Sequence, residues 1–149
     1  MMPEFKAVLF DWDGTLFDST KYALTVYRRL FKMLGIHDDH WKKFREEFKA
    51  DYHEYYASKG IPRSAYEEVD REWIRLYGLW SSRLKLVRGA KRLLSTLRKK
   101  KIRMAIVSNG SRPRILKELE QHGVRKYFGA IVTGDDIPEF AVCHGAVRQ

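Results

Sequence analysis

Phe5-Lys6-Ala7-Val8-Leu9-Phe10-Asp11-Trp12-Asp13-Gly14-Thr15-Leu16 is the stretch that decides the fold. An apolar run, Ala7 to Phe10, ends in polar residues and a glycine, the pattern of a short buried strand running into a turn. Asp11 and Asp13 leave the C-terminal end of that strand with one residue between them, so they can share a face. In open α/β sheets ligands bind at that end of the strands. Two carboxylates so close repel unless a cation sits between them or one holds a proton. A divalent cation such as Mg²⁺, which takes oxygen ligands and keeps several waters, is the usual answer. Gly14 permits a tight turn and Thr15 offers a hydroxyl. On spacing alone, a strand followed by an ordinary Asp-Gly turn reads equally well.

Asp11-Trp12-Asp13-Gly14-Thr15-Leu16 resembles the first motif of the haloacid dehalogenase (HAD) superfamily, Asp-x-Asp-Gly-Thr-Leu behind a hydrophobic strand. A second family motif is matched by Ile106-Val107-Ser108-Asn109-Gly110, after another apolar run. The resemblance is to the phosphoglycolate-phosphatase-like kind. It implies an α/β, Rossmann-like core of parallel strands with an all-helical cap inserted after the first strand. The expected division is a discontinuous core of residues 1–18 and 87–149 and a cap of residues 19–86.

The 149 residues suffice for an ordinary domain and its core. No apolar run is long enough to span a membrane, and Met1 to Lys6 has no secretory pattern. Cys143 is the single cysteine, so no internal disulfide is possible and a reducing cytoplasm is the expected setting. The net charge of +10 is uneven: residues 1–18 carry −3, residues 19–86 carry +4 and residues 87–149 carry +9. Arg98-Lys99-Lys100-Lys101 accounts for part of that excess and reads as the solvated end of a helix, where cations suit the dipole. Aromatics are not interleaved there as on a single-strand binding platform, so nucleic acid is not the expected partner.

After Leu16 the pattern becomes helical. Asp18-Ser19-Thr20 offers N-cap residues, Ala23, Val26, Tyr27, Leu30, Phe31 and Leu34 recur at helical spacing, and Gly35 closes the helix. A second helix is expected from Asp38 or Asp39 to near Gly60, with Trp41, Phe44, Phe48, Tyr52 and Tyr55 or Tyr56 on one stripe. Ser64-Ala65-Tyr66-Glu67 reads as a capping box before a third helix bearing Tyr66, Val69, Trp73, Leu76 or Tyr77, and Trp80. Of 20 aromatic residues, 13 lie between Tyr22 and Trp80. They read mainly as the core of a small bundle. From Val87 the α/β pattern resumes. A helix from Gly89-Ala90 turns Leu93, Leu94 and Leu97 inward, and a strand spans Ile102 to Val107. Another helix carries Pro113 in its first turn with Ile115, Leu116 and Leu119 inward, and a third strand spans Ala130 to Thr133.

The resemblance carries a chemistry. It implies that Asp11 is the nucleophile of a phosphoryl transfer and that Asp13 protonates the leaving alcohol and then activates water. Mg²⁺ is expected on the Asp11 carboxylate and the Asp13 backbone carbonyl. Ser108 is the expected phosphate-binding hydroxyl, helped by backbone N–H groups around Asn109 and Gly110, with Thr15 beside them. The expected substrate is a small phosphorylated metabolite. A phosphomutase, or a catalytically weak phosphate- and Mg²⁺-binding remnant acting as an interaction module, are the alternatives. Arg112 and Arg114 read as a solvated helix face. The five histidines read as surface residues, and Asp135-Asp136 as part of a turn.

The pattern departs from the family near its end. After Gly134-Asp135-Asp136-Ile137-Pro138-Glu139-Phe140 the family places a Lys, often followed by Pro, and later an acidic pair. This chain reads Ala141-Val142-Cys143-His144-Gly145-Ala146-Val147-Arg148-Gln149. A truncation or an altered reading frame near Phe140 is therefore expected. So is an α/β core incomplete at its C-terminus, with one edge of the first strand unpaired and available for homo-oligomerisation.

Overall fold

The computed structural model describes residues 5–37 and 52–136. These fall into two compact units, one of residues 5–19 with 84–136 and one of residues 20–37 with 52–83.

The first unit is built on three short strands: β1 (Ala7–Phe10), β2 (Arg103–Val107) and β3 (Ala130–Val132). All pair in parallel, in the order β1-β2-β3, with Val8 opposite Met104 and Ile106 opposite Ile131. Parallel strands need long crossovers. Here the last of these contain α4 (Ala90–Lys99) before β2 and α5 (Arg112–Gln121) before β3. One sheet face, with Met104, Ile106 and Ile131, shares a core with Leu94 of α4 and Ile115 and Leu119 of α5. The face carrying Leu9, Val107 and Val132 stays exposed, Leu9 at 70%. Among the described residues β1 pairs only with β2. This is the parallel α/β arrangement expected from the alternation of short apolar runs and amphipathic helices.

Helix boundaries follow local chemistry. Gly89 adopts φ +88° before α4, a left-handed conformation that L-residues with side chains resist. Pro113 sits in the first turn of α5, where its missing N–H costs nothing. The inward position of α4 is Leu94, fully buried, whereas Leu93 is 45% exposed, contrary to expectation.

The second unit contains α1 (Thr20–Met33), α2 (Tyr52–Ser58) and α3 (Tyr66–Gly78). Its core is aromatic, as the sequence predicts. Tyr27 packs on Trp73 at 5.8 Å and on Tyr55 at 5.8 Å, Phe31 on Tyr55 at 5.7 Å, and Trp73 stacks on Tyr77 at 4.7 Å. Asp70 accepts from the Tyr56 hydroxyl at 3.1 Å and lies 3.2 Å from His53 Nε2. His53 is therefore half-buried and bonded rather than a surface residue. The expected capping box does not form: Arg63–Ala65 make a turn of 3₁₀ helix, and α3 starts after Ala65 with no side-chain cap. Trp80 lies beyond α3 and is 47% exposed, with the Arg83 guanidinium 4.2 Å above its ring. The expected start of the second helix, with Trp41, Phe44 and Phe48, lies outside the described residues, as does everything after Asp136.

Candidate active site

Because the three strands are parallel, the residues that follow them gather at one end of the sheet: Asp11 after β1, Ser108 after β2 and Thr133 after β3. The chain leaves β1 in a tight turn. The Trp12 carbonyl accepts from the N–H groups of Leu16 and Phe17 at 3.1 and 3.0 Å. Gly14 stands at φ +74°, which explains the glycine at that position. The turn leaves Asp11 exposed and tucks Trp12 fully into the core, stacked on Phe17 at 5.2 Å.

Asp11 accepts a hydrogen bond from Thr15 Oγ1 at 3.0 Å. Thr15, expected among the phosphate ligands, thus braces the candidate nucleophile. Desolvation raises the Asp11 carboxyl above its ordinary range, against the lowering effect of that bond; the charge of Asp13 adds to the rise and that of Arg114 opposes it.

Asp13 is held from two sides. Ser19 Oγ donates to Oδ1 at 2.8 Å, so the expected N-cap hydroxyl turns to the acid. Arg114 grips both oxygens, Nη2 to Oδ2 at 2.6 Å and Nη1 to Oδ1 at 3.0 Å. Desolvation pushes the Asp13 carboxyl up, but the Arg114 charge and the hydrogen bonds from Arg114 and Ser19 outweigh it and bring it below the usual carboxylate range. Arg114 is itself seated on Glu118 one turn along α5, Nη1 to Oε2 at 3.1 Å. Glu118 Oε2 also accepts from Trp12 Nε1 at 2.8 Å. Glu118 is 4% exposed, and desolvation is the first cause that raises its carboxyl.

Arg114 is therefore not part of a solvated face. Arg112 keeps an exposed side chain, 43%, while its Nη1 donates to Asp136 Oδ2 at 2.6 Å and to the Ile131 carbonyl at 3.2 Å. Asp135 Oδ2 accepts from the Arg112 N–H at 2.6 Å, so Asp135-Asp136 do sit in the turn after β3 and tie it to the start of α5.

Ser108 is buried after β2, and its N–H bonds the Val132 carbonyl at 3.0 Å. Its Oγ accepts from the Gly110 N–H at 3.1 Å. The Gly110 N–H thus closes its own turn instead of facing outward, and the Ser108 hydroxyl proton stays available to a ligand oxygen. Asn109 is exposed at the tip. Gly110 lies hard against the Arg114 guanidinium: a Cβ there would come within 2.1 Å of Nη2.

The oxygens that could hold a divalent cation are those of the exposed Asp11 carboxylate and the Asp13 carbonyl. Both are oxygens, as Mg²⁺ requires, and water can complete its shell. Among the described residues no cluster of three or more acidic, histidine or cysteine side chains suits a metal. A cavity of about 490 Å³ lies elsewhere in the same unit, lined by Lys85, Arg88, Lys91, Arg92 and His122. It includes none of the acids, and the convergence of Asp11, Asp13 and Ser108 marks the site better than cavity size. His122 is half-buried there, with no partner for Nε2 among the described residues.

The comparisons bear on the family and the fold. Residues 8–140 match the family described as haloacid dehalogenase-like hydrolase, and the chain belongs to that family. Its fold is shared with solved members. A predicted phosphoglycolate phosphatase from Haemophilus somnus 129PT is 19% identical over 93% of this chain and 66% of its own, with a TM-score of 0.72. A Bacteroides fragilis protein provisionally assigned as a haloacid dehalogenase-like hydrolase is 25% identical over 90% of this chain and 65% of its own, with a TM-score of 0.79. A Thermotoga maritima protein provisionally assigned as a beta-phosphoglucomutase is 23% identical over 90% of this chain and 63% of its own, with a TM-score of 0.60. The chain thus spans just under two thirds of the length of these three proteins. No curated protein matches it. No helix among the described residues is long and apolar enough to cross a membrane.

Proposed function

We propose that the site hydrolyses a small phosphate monoester through an aspartyl-phosphate on Asp11. The carrying observation is the division of labour between the two acids: an exposed Asp11 beside an Asp13 held in one orientation by Arg114 and Ser19. An Asp11 oxygen attacks phosphorus and the ester P–O bond breaks; Asp13, held ionised by Arg114 and Ser19 in the free protein, takes the proton of an incoming phosphate monoanion and passes it to the leaving oxygen. Asp13 then accepts a proton from water as that water attacks the phosphoryl group and releases Asp11. Ser108 holds a phosphoryl oxygen through its hydroxyl. Asp11 and the Asp13 carbonyl would hold Mg²⁺, which when bound offsets the negative charge of the incoming phosphate. The helical unit of residues 20–37 and 52–83 is proposed as the cap that selects the substrate. The lone Cys143 supports a cytoplasmic setting.

The test is release of p-nitrophenol from p-nitrophenyl phosphate in the presence of Mg²⁺, with Asp11→Asn as control. Metal-dependent turnover abolished in the variant supports the reading. A second reading, a phosphate-binding remnant, draws on the Arg114 guanidinium packed against Gly110 in the middle of the site. It predicts phosphate binding without turnover.

A further inference from the structure

Trp12 and Glu118, near the acidic pair, have no part in the chemistry proposed above, and Arg114 enters it only by holding Asp13. Together they form a continuous chain of bonds. Trp12 Nε1 donates to Glu118 Oε2, Glu118 accepts from Arg114 Nη1, and Arg114 forks onto both oxygens of Asp13. We propose that Trp12, Glu118 and Arg114 are positioning residues that hold the Asp13 carboxyl at the angle needed to reach the leaving oxygen.

The geometry supports this in three ways. The guanidinium is planar and its fork matches a carboxylate only in one relative orientation, so a bidentate pair fixes direction as well as distance. The Arg114 end is itself fixed: its side chain is 19% exposed, and the Glu118 side chain beneath it is buried. The far end is anchored in the core, because the Trp12 ring is fully buried against Phe17. The relay also joins the turn after β1 to α5, so Asp13 is tied to the helix that begins beside Ser108. A buried carboxylate and guanidinium are costly to keep unless fully bonded.

The inference rests on Asp13 acting as the acid, and its test separates the two. The full chain is assayed on p-nitrophenyl phosphate, whose leaving group departs without much help, and on phenyl phosphate, whose leaving group needs a proton. Arg114→Lys keeps the charge but loses the fork. Glu118→Gln keeps an acceptor for Trp12 but loses its charge on Arg114. Trp12→Phe keeps an aromatic ring against Phe17 and loses the N–H together with part of the buried ring volume. The expected result is a fall in kcat on phenyl phosphate of about 100-fold for Arg114→Lys, on the scale of general-acid contributions. Smaller losses follow for Glu118→Gln and then Trp12→Phe, with less than about tenfold loss on p-nitrophenyl phosphate and little change in KM. Equal losses on both substrates overturn the relay and leave the phosphatase reading standing. No wild-type turnover on either substrate overturns that reading, and the catalytic role of the relay with it. Independently of activity, urea unfolding of the Asp13→Asn, Arg114→Gln cycle is run with and without Glu118→Gln. The relay predicts coupling between Asp13 and Arg114 that shrinks when Glu118 is replaced, and unchanged coupling overturns it.

Discussion

Trp12 and Glu118 stand 106 residues apart and meet at 2.8 Å, indole N–H to carboxylate, inside the core. Through this bond the residue between the two acids becomes an anchor for the helix that carries Arg114. It also makes Glu118 a structural weak point. Truncation to Ala leaves the Trp12 N–H and the Arg114 guanidinium short of a partner at a buried position. Removing one member of a buried charged pair costs about 3–5 kcal/mol, so Glu118→Ala is expected to lower the urea-unfolding free energy by about 3 kcal/mol. A change smaller than about 1 kcal/mol, within the range of exposed pairs, would contradict the burial described.

Gly110 makes a different prediction. A methyl group there meets Arg114 Nη2 at 2.1 Å and Ile115 Cδ1 at 2.9 Å. The guanidinium is pinned by Asp13 and Glu118 and cannot step aside without releasing one of them. Gly110→Ala is therefore expected to destabilise the fold by about 1–3 kcal/mol, the usual cost of overpacking, and to reduce turnover. An Ala variant with unaltered stability and rate would show that the arginine is loosely held.

Asp136 ties stability to pH. Hydrogen bonds from Thr133 Oγ1 and N, at 2.7 and 2.8 Å, are the main causes that hold its carboxyl below the usual range, with Arg112 helping. A depressed acid contributes stability above its unfolded pKa, about 3.9 for Asp. That contribution is lost as pH falls through the lower folded value. The urea midpoint is expected to fall as pH drops below about 4, and to fall less steeply in Asp136→Asn. Matching acid limbs in the two proteins would rule out this contribution.

The open edge of β1 bears on association. Among the described residues β1 has a single neighbour, and Phe5 and Leu9 are 68% and 70% exposed. Unpaired apolar strand edges invite pairing with another chain. Sedimentation velocity is expected to show concentration-dependent self-association, reduced by Leu9→Lys. A single monomer boundary at all concentrations, with cooperative unfolding at high temperature, would speak against it.

The strand that runs into Asp11 and Asp13 was legible because an apolar run, two acids and a glycine each constrain the backbone locally. The same holds for Gly89 before α4, Pro113 in α5 and the aromatic stripe of the helical unit. What could not be read depends on distant contacts. Arg114 and Glu118, spaced i and i+4, have the signature of a solvent-exposed pair on a helix surface. Only the arrival of Asp13 and Trp12 from the other end of the chain buries them. Arg112 was hidden for the same reason, its partner Asp136 lying 24 residues on. Leu93 and Leu94 differ in burial by a small rotation of one helix, which periodicity does not resolve.

The central claim is that Asp11 takes the phosphoryl group. It is tested most directly by acid-quenching the protein during turnover of a radiolabelled phosphate ester and locating the label. The prediction is a hydroxylamine-labile label on the peptide bearing Asp11, absent from Asp11→Asn. Label on another residue, or turnover that persists in Asp11→Asn, would contradict it.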